Sequence, residues 1–229
     1  MSVSTSSFEF SNKRQGLLTG YSIILMALIA GFVYGFVHKT IHIPGDFELT
    51  AKALQDNFVS YKLGLSSWIL IFILDIIVSI GIYGIYKDIQ KKLAVLTSGL
   101  RVIYTLFLGG AVVQLSIPLV NSNERANSLS YFDSFEKIWS LGLIIFGFHL
   151  LSLGAICFKS KFTPKFWNIL LSFGGVCYIL VHTLKSFFPH LSNITSTIES
   201  VLITPMALSE IGFAVWLIVK ATRLKKSEN

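Results

Sequence analysis

The segment ILIFILDIIVSIGIYGIY, residues 69–86, is part of one of six long apolar windows, placed near Leu17–Val37, Leu63–Tyr86, Ala94–Val120, Ile138–Phe158, Phe166–Phe188 and Val201–Val219. A helix rising ~1.5 Å per residue needs roughly 20 residues to cross ~30 Å of hydrocarbon. No other feature of the chain limits its fold so strongly. Helices satisfy their backbone groups internally, and the alternation expected of a lipid-facing barrel strand is absent. The first window is too long for a removed signal peptide and lacks a small-residue cleavage site, so it is read as a mature helix.

Only 14% of the residues are charged and 53% are hydrophobic, against about a quarter charged in soluble domains. With the N-terminus in the cytoplasm, the inner segments hold 12 Lys and Arg residues and the outer loops six. This bias places both termini in the cytoplasm and points to the plasma membrane. The net charge of +7 is therefore assigned to topology and attraction to anionic lipid, and no nucleic-acid motif is present. Cys157 and Cys177 fall within spans and form no CxxC pair, the usage of small buried residues rather than of a disulfide or metal framework.

The expected architecture is an all-α polytopic bundle of about six membrane helices. Residues 1–15 are read as a disordered cytoplasmic tail, 16–221 as a single transmembrane domain and 222–229 as a basic tail. After the first span, Pro44 and Gly45 mark a turn and Asp46 can cap a helix in which Phe47, Ala51, Leu54, Phe58 and Tyr61 recur at helical spacing; this predicts an amphipathic helix on the outer face. The polar stretch NSNERANSLSYFDSFEK reads as a flexible loop, and Asn193-Ile194-Thr195 is a formal glycosylation sequon on the outer side. Ala27, Gly31 and Gly35 lie four apart, a stripe on which another helix, in this chain or in a second copy, can pack closely.

Four ionisable residues interrupt the spans: Asp75, Arg101, His149 and Glu210. Unpaired, the Asp, Arg and Glu alone would cost roughly 8 to 10 kcal/mol in hydrocarbon, comparable with the whole stability of a typical domain. Counted from the cytoplasmic end of each span at ~1.5 Å per residue, Arg101 is ~12 Å deep, His149 ~14 Å, Glu210 ~15 Å and Asp75 ~16 Å. The common depth predicts that the four meet inside the bundle, with Arg101 paired to one or both carboxylates. Ser79, Tyr83, Thr97 and Tyr104 share their faces and are expected to supply further hydrogen bonds. Two carboxylates against one guanidinium leave one negative charge over. A proton on His149, a neutral carboxylic acid or a bound cation would balance it.

His38 and His42 have the spacing of a metal pair, but residues past a span end need not stay helical, so no metal is assigned to them. His182 and Lys185 are placed at the outer interface. HExxH, GxSxG, P-loop and CxxCH motifs are absent, and no cofactor is expected. The reading favoured is binding or transport of a small ligand or ion, proton-linked, through the polar cluster, with membrane lipids as surroundings. An intramembrane enzyme acting on lipid, with Asp75 and His149 as acid and base, and a partner-binding or immunity-type protein are the alternatives.

The combination of IPGD, Asp75, GLRVIY, GLIIFGFHLLSLG, PKFWNILLSFGGVCYIL and PMALSEIGFAVWLIVKA resembles a bacterial family of multi-pass membrane proteins catalogued as a domain of unknown function, number four-three-eight-six, over about Gly16 to Ala221. The resemblance implies class and location, with the Asp, Arg, His and Glu positions belonging to the family pattern. It implies no activity.

Overall fold

A computed structural model describes the backbone of residues 3–223 and the side chains of residues 13–223. Helix α1 (Val3–Phe32) runs on through a π turn (Val33–His38) and one further turn (Lys39–Ile41). A short helix follows, α2 (Phe47–Asp56), and then α3 (Phe58–Tyr86), α4 (Lys91–Val120), α5 (Ser128–Lys159), α6 (Lys165–Phe187) and α7 (Ser192–Thr222). All but α2 are long and apolar enough to cross a membrane. The chain is an all-helical, multi-pass membrane protein. Six such helices among the described residues bring Thr222 back to the side of the bundle on which Lys13 lies.

The helix α1 starts within the segment expected as an unstructured tail, whose side chains up to residue 12 lie outside the described ones. Residues 224–229 of the expected basic tail lie outside them as well.

The six long helices form a closed ring in which each packs against its neighbours in the chain and α7 returns to α1. Small residues make two of these crossings close. A Cβ on Gly20 of α1 would stand 2.9 Å from the Ala214 carbonyl oxygen of α7, and one on Gly147 of α5 would stand 2.7 Å from the Gly175 carbonyl of α6. Here backbones touch, which only glycine permits. The interior is filled by large side chains from several helices, with Trp68, Tyr86, Phe135 and Phe213 fully buried. Outward faces carry Leu, Ile and Phe, among them Leu28, Ile80, Leu106 and Ile169, the surface that hydrocarbon solvates.

Two segments differ from the sequence reading. The polar stretch after α4, expected to be flexible, is a 3-10 turn (Ser122–Asn127) followed directly by the first turns of α5. Leu129, Phe132 and Phe135 recur there at three-residue steps and are all buried, so apolar packing orders a segment whose composition looks loop-like. The outer amphipathic helix is shorter than expected. Asp46 caps it by accepting from the Leu49 N–H at 2.9 Å, but it ends at Asp56, and Phe58 and Tyr61 already belong to α3. Gly45, at φ +80°, makes the left-handed turn that leads into it.

Candidate functional site: the intramembrane arginine cluster

Asp75, Arg101, His149 and Glu210 reach one point in the bundle from α3, α4, α5 and α7. Arg101 is the hub. Its Nε donates to Asp75 Oδ1 at 2.9 Å and its Nη2 lies 2.6 Å from the same oxygen. Its Nη1 faces Glu210 Oε1 at 3.2 Å and His149 Nε2 at 3.3 Å. The guanidinium carbon also stands 5.3 Å from the centre of the Phe146 ring, a cation–π contact. Asp75, Arg101 and His149 are buried, whereas the Glu210 side chain keeps 20% of its surface accessible. The cluster therefore has a closed side and an open edge.

Hydrogen-bond logic fixes the state of His149. Its Nδ1 lies 2.8 Å from the Thr97 carbonyl, which can only accept, so Nδ1 carries the proton. Its Nε2 faces a guanidinium, which can only donate, so Nε2 is a bare acceptor. The ring is neutral. A proton on His149 would oppose Arg101 directly, which removes one of the three ways of balancing the cluster and leaves a proton on a carboxyl or a bound cation. Asp75 and His149 contact the same guanidinium, Asp75 through Oδ1 and His149 through Nε2.

The four residues expected to support the cluster lie near it but send their side chains elsewhere. Thr97 contributes its backbone carbonyl to His149, while its hydroxyl donates to the Leu93 carbonyl at 2.8 Å and meets Ser152 Oγ at 2.6 Å. Ser79 donates to the Ser98 carbonyl at 2.9 Å, fastening α3 to α4. Tyr104 accepts from Trp139 Nε1 at 3.4 Å and packs on Phe146. Tyr83 packs against the apolar core.

Toward the end of the bundle away from Lys13 and Thr222 lies a cavity of about 690 Å³, bordered by α1, α5, α6 and α7. Its wall carries Glu136, Ser140, His182, Lys185 and Glu199 among apolar residues such as Trp139, Leu143 and Met206. His182, expected at the interface, is instead buried, with Nδ1 3.0 Å from Ser140 Oγ. Lys185 pairs with Glu199 at 2.6 Å. Tyr178 is both wall and link. It borders the cavity, stacks on His182 and meets the edge of Phe146, the ring that covers Arg101. Along α7, Met206 of the wall and Glu210 of the cluster are one turn apart.

A second polar group escaped the sequence reading. His38 Nε2 stands 3.2 Å from Glu136 Oε1, His42 Nδ1 stands 3.6 Å from that oxygen, and His42 Nε2 stands 2.9 Å from Asp133 Oδ1. The histidines were visible as an i, i+4 pair, but their carboxylate partners lay in the stretch taken for a loop. The three-residue apolar spacing of Leu129, Phe132 and Phe135 was the signal that could have found them.

Residues 18–221 match the profile of the family described as Domain of unknown function (DUF4386). An uncharacterized protein from the archaeon Archaeoglobus fulgidus is 28% identical over 157 residues, which covers 69% of this chain and 83% of the relative. No solved structure matches. With the family profile covering residues 18–221, well over half of the chain and part or all of each long helix, this chain belongs to the DUF4386 family.

Proposed function

We propose that the chain binds or transports a small amphiphilic ligand across the cytoplasmic membrane, with both termini inside, in a cycle linked to a proton or cation at the Arg101 cluster. The observation that carries this reading is the neighbourhood of two features: a mostly apolar outer cavity that carries a few charged and polar side chains, and, linked to it through Tyr178 and Met206, a charge cluster in which Glu210 alone of the four residues keeps accessible surface. The cavity volume lies within the ~300–1,000 Å³ usual for small-molecule sites. Two carboxyls facing one guanidinium need one more positive charge in a low-dielectric interior. A change in the charge balance of the cluster alters the grip of Arg101 on α7, and Met206 one turn away carries that change to the cavity wall.

The groups around Glu210 are Arg101 from α4, with Asp75 and His149 on the same guanidinium, and the phenols Tyr104 from α4 and Tyr178 from α6 nearby. The experiment follows stability in detergent and proton movement into dye-loaded proteoliposomes between pH 5 and 8, in the parent chain and in Glu210→Gln. Different profiles are expected. Superimposable profiles for both chains would remove the proton linkage.

A second copy of the chain is the partner we attach to the Ala27/Gly31/Gly35 stripe. A Cβ added at Gly31 or Gly35 meets nothing within 4 Å among the described residues, and both glycines are exposed, so no described helix packs closely on them.

A further inference from the structure

We propose that His38, His42 and Glu136 form a divalent-cation site of the zinc class on the outer side, with Asp133 as the group that orients His42. Tetrahedral zinc bound by nitrogen and oxygen at ~2.0–2.1 Å sets its ligand atoms about 3.3 Å apart. His38 Nε2 and His42 Nδ1 lie 3.2 and 3.6 Å from Glu136 Oε1, and one ligand atom from each of the three residues lies within 4.8 Å of the others. The 3.6 Å separation is longer than a hydrogen bond and close to the edge of that tetrahedron. Little movement is needed to close the site on an ion.

The surroundings match the chemistry of such a site. Asp133 Oδ1 takes the Nε2–H of His42 at 2.9 Å, which leaves Nδ1 as the ligand and reproduces the carboxylate–histidine–metal arrangement that fixes ring tautomer and raises basicity. Two carboxylates supply the charge that a dication requires. Both histidines are buried, at 3% and 7% exposure, and their rings are clamped: Phe132 stacks on His42 at 5.6 Å, Tyr34 stacks on His38 at 5.1 Å and Phe135 packs against it at 5.3 Å. His38 ends a π turn, a local distortion frequent at functional sites. The donor set of two imidazoles and one carboxylate suits zinc and its first-row neighbours rather than calcium or magnesium.

Three protein ligands leave the fourth tetrahedral position to water or to a ligand atom. Glu136 and Tyr34 are shared between this cluster and the outer cavity, so an anionic or carbonyl group in the cavity can take that position. The site stands on its own geometry and does not depend on the transport reading.

The test uses the full chain purified in detergent and stripped by a chelator, with Co²⁺ as the spectroscopic probe and Zn²⁺ as the calorimetric one. One equivalent of Co²⁺ should give tetrahedral visible bands that Zn²⁺ displaces. Glu136→Gln and His42→Gln should weaken Zn²⁺ binding by more than about 100-fold, and Asp133→Asn by about 10- to 100-fold. His190→Ala, at an exposed histidine, should leave it unchanged. Glu136→Gln and Asp133→Asn alter partly exposed carboxylates and keep the test decisive should His42→Gln not fold. Absence of stoichiometric binding by the parent chain overturns the proposal, as does equal affinity in Glu136→Gln and Asp133→Asn.

Discussion

Charge removal at the Arg101 cluster should produce a ranked series of stabilities. Two unit charges ~4 Å apart in an effective dielectric of ~20 attract by about 4 kcal/mol. Arg101→Gln deletes the hub and leaves Asp75 and Glu210 facing each other with no cation among the cluster side chains, at a cost of about 3–5 kcal/mol. Asp75→Asn removes the negative charge but leaves an amide oxygen to accept from Arg101, which also keeps Glu210 at 3.2 Å, so the loss falls to about 1.5–3 kcal/mol. Glu210→Gln leaves the neutral Asp75–Arg101 pair, and because that carboxylate is 20% accessible the change stays within about 1 kcal/mol. In the double variant Asp75→Asn/Arg101→Gln the two losses should overlap by about 2 kcal/mol, within the range for residues in direct contact. The assay is equilibrium unfolding in mixed micelles followed by tryptophan fluorescence. A Glu210→Gln variant as unstable as Arg101→Gln, or a coupling below about 0.5 kcal/mol, would refute the pairing described here.

Two further outcomes follow from the packing. A Cβ on Gly81 of α3 would stand 1.9 Å from Thr19 Oγ1 and 3.2 Å from Thr19 Cβ; Gly81→Ala should therefore cost about 1–3 kcal/mol in the same unfolding assay, and adding Thr19→Ala should restore most of it. Gly35→Leu, on the open face of α1, should leave the unfolding of the single chain unchanged and alter only the oligomer ratio seen by cross-linking. Asp46→Ala removes the cap of α2 and should lower the melting midpoint by an amount equivalent to about 1 kcal/mol, with a thermal scan of both chains as the measurement.

Much of this molecule was legible because hydrocarbon is an unforgiving solvent. The windows in the sequence fall on the six long helices, each within a few residues of at least one observed end. The convergence of Asp75, Arg101, His149 and Glu210 followed from two elementary facts, the cost of an unpaired charge in lipid and a rise of ~1.5 Å per residue. What escaped was set by contacts that composition does not encode. Thr97 serves His149 through its carbonyl, which every residue possesses, so its side chain was a poor guide to its part. Ser79 turned to a neighbouring backbone for the same reason. The helical start of α5 was hidden because Asn, Ser, Glu and Arg look like loop residues, while the packing of Phe132 and Phe135 against the His38 ring decides the matter. Once that segment is a helix, Asp133 and Glu136 project one turn apart toward the histidines, and an outer cluster exists where only an isolated pair was visible.

The closed ring carries a consequence for biogenesis. Asp75 and Arg101 sit on consecutive helices that pack against each other, so their charges can cancel as soon as the α3–α4 hairpin leaves the ribosome, and the hairpin enters lipid with its two membrane-buried charges paired. Glu210 arrives on α7, made after the other five long helices described, and the docking of α7 against α1 closes the ring. A chain halted before α7 would keep a balanced arginine but gain no closed wall, which makes α7 the step that turns a row of inserted hairpins into a ring.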